Sequence, residues 1–312
     1  MLDSFLQAVY SVTLFVLLAV PGYLFTRKKW ISPTQVDGIS TLLVQYVWPI
    51  MVIDAMLQVD LTPEILKSSG TIALFTVVGI ALAALLGLLY LSFRRFSIVP
   101  GGILIFALMF SNTGLIGMPL INSMLGAEAL FMASIVELVN DILIFSVGVL
   151  LIQKASGQSG KISLKDLFSP GFCGMLLGLV LFLTNVSLPA LLEEAFHMIA
   201  AATTPITMFL VGAQLGEQAL GKLFRRKELY LFAAFKLFLV PAAVFLLLQL
   251  FLPQGGFLNT VLVMLFAMPS GACCALFARQ YHGDYHLATA CVTLTTVGSA
   301  LTLPLWMVLC SL

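Results

Sequence analysis

Apolar residues fill this chain in long continuous runs, and the polar residues gather in short breaks between them. Each run approaches the roughly 20 residues that a helix needs to cross hydrocarbon. The pattern predicts about ten such spans, at roughly 6–25, 38–57, 70–93, 101–124, 128–152, 171–188, 198–218, 228–252, 258–278 and 286–310. Within a run, polar and apolar residues do not alternate, which argues against a transmembrane β-barrel. The first run ends at Pro21-Gly22 and is followed by Arg27, Lys28 and Lys29, the pattern of a retained helix rather than a cleaved leader. The expected fold is therefore an all-α integral membrane protein.

Two runs are interrupted near their middles. The fourth carries Ser111-Asn112-Thr113-Gly114-Leu115-Ile116-Gly117-Met118-Pro119, and the ninth carries Met268-Pro269-Ser270-Gly271-Ala272-Cys273-Cys274. Proline removes a helix hydrogen bond and glycine weakens a helix. In lipid, backbone groups freed this way persist only where they are buried in protein or line a cavity. Interrupted hydrophobic segments at corresponding places in two halves of a chain are the strongest sequence pointer to a transporter binding site.

Composition sharpens this picture. Of 312 residues, 61% are hydrophobic and 9% charged, with a mean hydropathy of +1.09. A soluble domain carries roughly 25% charged residues, so this chain has too few to cover a water-facing surface. A net charge of +1 offers no basic face for nucleic acid. With the N-terminus outside, the cytoplasmic loops hold 13 of the 15 basic residues, leaving Lys67 and Lys236. They include Arg94, Arg95, Lys154, Lys161, Lys165, Lys222, Arg225, Arg226, Lys227 and Arg279 beside the three after the first span. The outer loops hold Asp60, Glu64, Glu128, Glu193 and Glu194. This asymmetry predicts both termini outside a cell's inner (plasma) membrane and an even number of spans.

The halves repeat. One constant offset puts Asn112-Thr113-Gly114 on Pro269-Ser270-Gly271, Gly126 on Gly283 and Leu130 on Leu287. An offset one residue shorter puts Trp48-Pro49-Ile50 on Thr204-Pro205-Ile206. Five spans is an odd number, so the second copy enters the bilayer from the opposite side. The reading divides the chain into a five-helix repeat over 1–152, a cytoplasmic linker over 153–170 and a second, inverted five-helix repeat over 171–312.

The motif Ser111-Asn112-Thr113-Gly114-(x2)-Gly117-(x)-Pro119 with Gly126 resembles that of the auxin efflux carrier family, which includes plant PIN-type carriers and bacterial malate and malonate permeases. Pro269, Ala290 to Thr296 and Ser299 to Pro304 extend the resemblance to the chain's end. The resemblance implies a ten-span fold in which broken helices four and nine cross at the substrate site, with Asn112, Gly117 and Pro119 in one crossover arm and Pro269 in the other. Plant members carry a long mid-chain loop, and the short stretch from Gln153 to Ser169 places this chain with the bacterial branch.

The candidate chemistry lies deep in the spans. Asn112 is about eleven residues into its run, roughly 17 Å at 1.5 Å per residue, and its amide both donates and accepts. A half-helix beginning beside it points a positive dipole end at the break. The expected substrate-binding residues are Asn112, Thr113, Gly114, Gly117, Pro119, Pro269, Ser270 and Gly271. Glu137, Asn140 and Asp141 share a face of span five, where charge is costly and usually functional. They form a candidate site for a coupling ion, Na⁺ or H⁺, with Thr295 and Thr296 as added oxygen ligands from a hydroxyl-rich stretch that also holds Thr293 and Ser299. The other reading of Glu137 and Asp141 is a structural cluster paired with Lys236. Gln45, Asp54 and Gln214 are candidates to face the same cavity. Pro49 and Pro205 are expected to kink spans two and seven. The Gly174-x3-Gly178 and Gly212-x3-Gly216 pairs are expected to pack helices closely. The five cysteines are expected as small apolar fillers. His282, Asp284 and His286 make only one His-x3-His in a loop, too little for a zinc motif.

The function expected is secondary transport of a small organic anion, such as a carboxylate or dicarboxylate, by alternating access around the crossed helices. No cofactor is expected beyond the coupling ion. The partners are the anion and the bilayer, with a homodimer left open. The alternative is a cation/proton antiporter on a similar inverted-repeat fold, with the span-five acids as its transport site. An enzyme is not expected: paired intramembrane aspartates in a Gly-x-Gly-Asp context, a zinc motif and a Gly-x-Ser-x-Gly elbow are all absent from the sequence.

Overall fold

A chain without water around it must satisfy its backbone internally, and the helix does this within one segment. The computed structural model describes residues 2–94, 98–157, 168, 170–184, 186, 188–218, 220–223, 226 and 228–310. Among these the regular elements are helices, joined by a single isolated bridge between Ser111 and Ser270. Residues 158–167 and 169 of the predicted linker lie outside the described residues, as do Arg95, Lys161, Lys165, Arg225 and Lys227 of the charge pattern.

In chain order the helices are α1 (Leu2–Arg27), α2 (Pro33–Leu57), α3 (Pro63–Arg94), α4 (Ile98–Met109), α5 (Thr113–Leu125) and α6 (Ala127–Ala155). The second half supplies α7 (Pro170–Thr184), α8 (Ala190–Glu217), α9 (Leu229–Phe251), α10 (Gly256–Phe266), α11 (Cys273–Gln280) and α12 (Tyr285–Cys310). Seven of them, α1, α2, α3, α6, α8, α9 and α12, contain stretches long and apolar enough to cross a membrane. The predicted spans four and nine are each two helices with a break between, α4 with α5 and α10 with α11.

Several helices start earlier than hydropathy alone suggests. Ser32 and Gln35 form a capping box at the start of α2, the Ser32 N–H donating to Gln35 Oε1 at 2.8 Å. Glu64, Glu128 and Glu193, expected in outer loops, stand in the first turns of α3, α6 and α8. A carboxylate there complements the helix dipole, so the polar residues that seemed to end a run in fact begin a helix. Pro49 follows a π turn over Leu43–Val47 in α2, whereas Pro205 follows a turn at Ala202 that interrupts α8.

Small residues set the close contacts. Gly22 of α1 lies on Phe209 O of α8, and Gly212 of α8 lies on Ala19 O of α1. Gly174 and Gly178 of α7 lie on Pro49 and on Met56 and Ile53 of α2. The pairs α1–α8 and α7–α2 exchange when the two halves of the chain are exchanged. These four helices make one bundle. The second contains α3 on α4 and α6, α9 on α10, and α12 on α11. The bundles meet along α1 with α12 and α2 with α6. The broken helices are the best-buried part of the chain: every residue of Ile103–Phe110 and of Val261–Met268 is buried.

An added methyl at Gly212 has only backbone to displace, because Ala19 O occupies the space. Gly212→Ala is expected to lower stability by about 1–3 kcal/mol, read as a fall in thermal unfolding temperature in detergent, whereas Gly38→Ala, inside α2 with open space around it, is expected to hold or raise that temperature.

Candidate functional site

At the two breaks, helix hydrogen bonding is replaced by bonding between the arms. α4 stops at Met109 and α10 at Phe266, and the segments that follow cross each other antiparallel at Ser111 and Ser270. Asn112 N–H donates to Pro269 O at 2.7 Å, and Gly271 N–H donates to Phe110 O at 2.9 Å. Side chains take up the freed carbonyls. Ser270 Oγ donates to Ala107 O at 2.8 Å, Lys236 Nζ to Leu108 O at 3.1 Å, and Ser111 Oγ to Phe266 O at 3.4 Å. Ser270 N–H donates to Thr295 Oγ1 at 3.1 Å.

The half-helices beyond the crossing start with open donors. α5 begins with a wide π turn over Thr113–Gly117, and the first N–H taken up is that of Gly117, by Asn112 O at 2.9 Å. The N–H groups of Thr113 to Ile116 are the unpaired donors of a helix start. α11 begins more tightly, with Cys274 N–H on Gly271 O at 3.0 Å and Ala275 and Leu276 N–H on Ala272 O at 3.2 and 3.3 Å, which leaves Ala272 and Cys273 N–H at its start. Both positive dipole ends border one cavity of about 580 Å³. One wall is Ser40, Val44 and Trp48 of α2 with Gln214 of α8. The other is Asn112 to Leu115, Glu137, Asn140 and Asp141 of α6, and Gly271 to Cys273 with Gln280. The cavity therefore lies between the two bundles. A second cavity of about 270 Å³ shares Ser40, Asn112, Gln214, Ala272 and Leu276 with the first and carries Asp37, Glu217 and Arg279.

Asn112 is only 8% exposed, lines both cavities, and its amide has no protein partner among the described residues. The amide therefore faces the cavities with its donors and acceptor free. On the same wall Thr113 Oγ1 donates to Glu137 Oε2 and accepts from Asn140 Nδ2 at 3.1 Å. Gly114 leaves the room this requires: a Cβ there would stand 2.5 Å from Glu137 Oε1 and 3.1 Å from Trp48 Cζ2.

The structure sorts the expected residues. Asn112, Thr113, Gly114 and Gly271 line the main cavity together with Glu137, Asn140 and Asp141. Pro269 and Ser270 build the crossing behind it, and Gly117 and Pro119 are buried in α5. Thr295 is a brace: its hydroxyl holds Ser270 N–H and bonds back to Cys291 O, away from the acids. Thr296 bonds back to Val292 O and borders the smaller cavity. Thr back-bonding to its own helix is what separates these two from Glu137. Gln214 faces the cavity, but Asp54 is held by Gln58 and His197 away from it. Lys236 neither snorkels to an interface nor pairs with the acids; it is fully buried under the crossing on Ser111 and Leu108. Cys273 is cavity wall rather than filler, and Cys173 is exposed. Ser40, Trp48 and Gln280 were not singled out by sequence. The sequence signal for Trp48 was its place before Pro49 in the repeat, and its indole Nε1–H is buried without an acceptor.

Residues 8–307 match the model of a family described as membrane transport protein. The chain is 23% identical to an uncharacterized transporter of Methanothermobacter thermautotrophicus, with 97% of each chain covered. It is 28% identical to an uncharacterized transporter of Methanocaldococcus jannaschii over 66% of this chain and 67% of the other. A third relative, the uncharacterized transporter YfdV of Escherichia coli, is 24% identical with 98% of each chain covered.

Thr113→Val removes the donor to Glu137 and the acceptor for Asn140 at once. Leaving buried polar groups unpaired costs about 1–3 kcal/mol, so thermal unfolding is expected at a lower temperature, with Thr113→Ser close to the parent.

Proposed function

The chain belongs to the membrane transport protein family, and on that premise we propose that it is a secondary transporter of a small organic anion, working by alternating access. The observation that carries this reading is the unpaired Asn112 amide between two half-helix N-termini, in a cavity that separates two bundles. The substrate carboxylate accepts hydrogen bonds from that amide and from the open N–H groups at the starts of α5 and α11, which favour negative charge without a formal cation. Gln214 and Ser40 hold its polar groups from the opposite bundle. Leu115, Ile144, Phe145 and Phe277 receive its apolar part.

Transport on this reading is movement of one bundle past the other, which changes the side on which the shared cavity opens. The repeated pairing of α1 with α8 and of α7 with α2 supports a division into two related halves, 1–152 and 171–312. The mouth that carries Asp37, Glu217 and Arg279 lies at the end that the basic-residue pattern assigns to the cytoplasm, so the conformation described is open inward.

Glu137, Asn140 and Asp141 supply oxygen atoms for Na⁺ or a site for H⁺. Two carboxylates on the wall of an anion cavity repel the substrate unless a cation or proton is taken up with it, and this is the physical basis for coupling. The same acids favour a second reading. No Lys or Arg lines the main cavity among the described residues, which also suits a cation/proton antiporter.

Flux in proteoliposomes decides between them, with malate, malonate and indole-3-acetate offered under an imposed H⁺ or Na⁺ gradient. Asn112→Ala is expected to lower kcat/KM about 10- to 100-fold, the loss of one hydrogen bond to a charged group. Glu137→Gln with Asp141→Asn is expected to abolish the ion dependence of flux. Cation flux without any of the anions, indifferent to Asn112→Ala, establishes the antiporter instead.

A further inference from the structure

Lys236 has no part in the transport reading so far, yet it is among the largest fully buried side chains. It forms no ion pair among the described residues. Its Nζ donates instead to two neutral oxygens, Ser111 Oγ at 2.7 Å and Leu108 O at 3.1 Å. A lysine buried with no counter-charge is costly to keep and survives where it has a task.

The two acceptors say what that task is. In an unbroken helix Leu108 O would receive the N–H of Asn112, but that N–H is spent on Pro269 O. Leu108 O is thus one of the orphan carbonyls at the end of α4, where the half-helix presents its negative pole. Lys236 caps that pole. Its other acceptor, Ser111, is part of the wall of the main cavity, so one hydroxyl separates the ammonium from the space that Asn112 borders. No Lys or Arg lines the main cavity among the described residues, and Arg279 borders only the smaller one that adjoins it.

The repeat shows that the crossing does not need a lysine for its packing. The offset that puts Asn112 on Pro269 puts Gly79 of α3 on Lys236. At Gly79 the gap is filled by the ring of Phe266, at the end of α10. At one half-helix end the helix's own Phe266 ring packs against a glycine of α3, and at the other a lysine of α9 donates to a terminal carbonyl. A symmetric packing need would be met in the same way twice.

We propose that Lys236 is a positioning residue of the anion site: from behind the crossing it neutralises the negative end of α4 and orients Ser111, so that the cavity wall favours a carboxylate that the lysine never touches. This rests on the anion reading above and adds the source of positive charge that the cavity lining lacks.

The test is proteoliposome flux of whichever of malate, malonate or indole-3-acetate the parent carries, in Lys236→Met, Lys236→Arg and Ser111→Ala. Lys236→Met is expected to raise KM about tenfold or more with a smaller change in kcat, and Lys236→Arg to recover most of that loss. Ser111→Ala keeps the bond to Leu108 and removes the link to the cavity, so it is expected to raise KM by a smaller factor. If Lys236→Met does not fold, Lys236→Arg and Ser111→Ala decide: wild-type KM in Lys236→Arg with a raised KM in Ser111→Ala supports the proposal, and an unshifted KM in Ser111→Ala overturns it. A fall in kcat at constant KM in Lys236→Met also overturns it, because a merely structural prop would behave that way. Absence of any anion flux in the parent defeats the anion reading itself, whereas parental flux with unshifted variants defeats only the role of Lys236.

Discussion

Backbone N–H and C=O groups freed inside a hydrocarbon slab have no water to turn to, and each left unpaired costs several kcal/mol. The centre of this molecule is organised by that constraint. Breaking two helices at mid-span releases carbonyls at the ends of α4 and α10 and donors at the starts of α5 and α11. The carbonyls are met by Gly271 N–H and Ser270 Oγ from one segment, Lys236 Nζ from a second and Ser111 Oγ from a third. The donors of α5 are left open toward the cavity. The same breaks thus consume acceptors within the protein and leave donors at the cavity.

Burial of every residue of Ile103–Phe110 and Val261–Met268 fixes the crossing within the larger bundle. The cavity borders a second bundle whose own helices pack through glycines at backbone distance. Close packing without interdigitating large side chains holds α1 to α8 and α2 to α7 as units. A cavity lined by two such units is what the proposed alternating access would act on, since relative movement would open one face as it closed the other.

Charge placement around the cavity is uneven, and the unevenness carries the chemistry. Glu137 and Asp141 sit on the cavity wall, Lys236 sits behind it, and Arg279 belongs to the smaller cavity. On the transport reading proposed above, an anion held by the helix ends would meet two acids that a cation or proton would have to neutralise, so that binding of the two charges would be mutually favourable.

Membrane residence, helical class and the location of both breaks were legible from the sequence alone. Each depends on local facts: run length, Gly and Pro, and the bilayer's demand for internal hydrogen bonding. The acids of span five were legible because charge at mid-membrane is rare. What the sequence did not decide is which groups meet. Thr295 and Glu137 are both polar residues deep in their helices, yet one props Ser270 while the other borders the cavity. Lys236 lay near enough to suggest an ion pair with the acids, but the crossing of the two arms stands between them. Ser40, Trp48 and Gln280 belong to no motif, and only the docking of α2 and α11 around the break makes them neighbours of Asn112. Periodicity and spacing determine what a residue is able to do along its own helix. The side a helix turns toward a partner far along the chain is set by packing between segments, and that is decided only when the whole chain is in place.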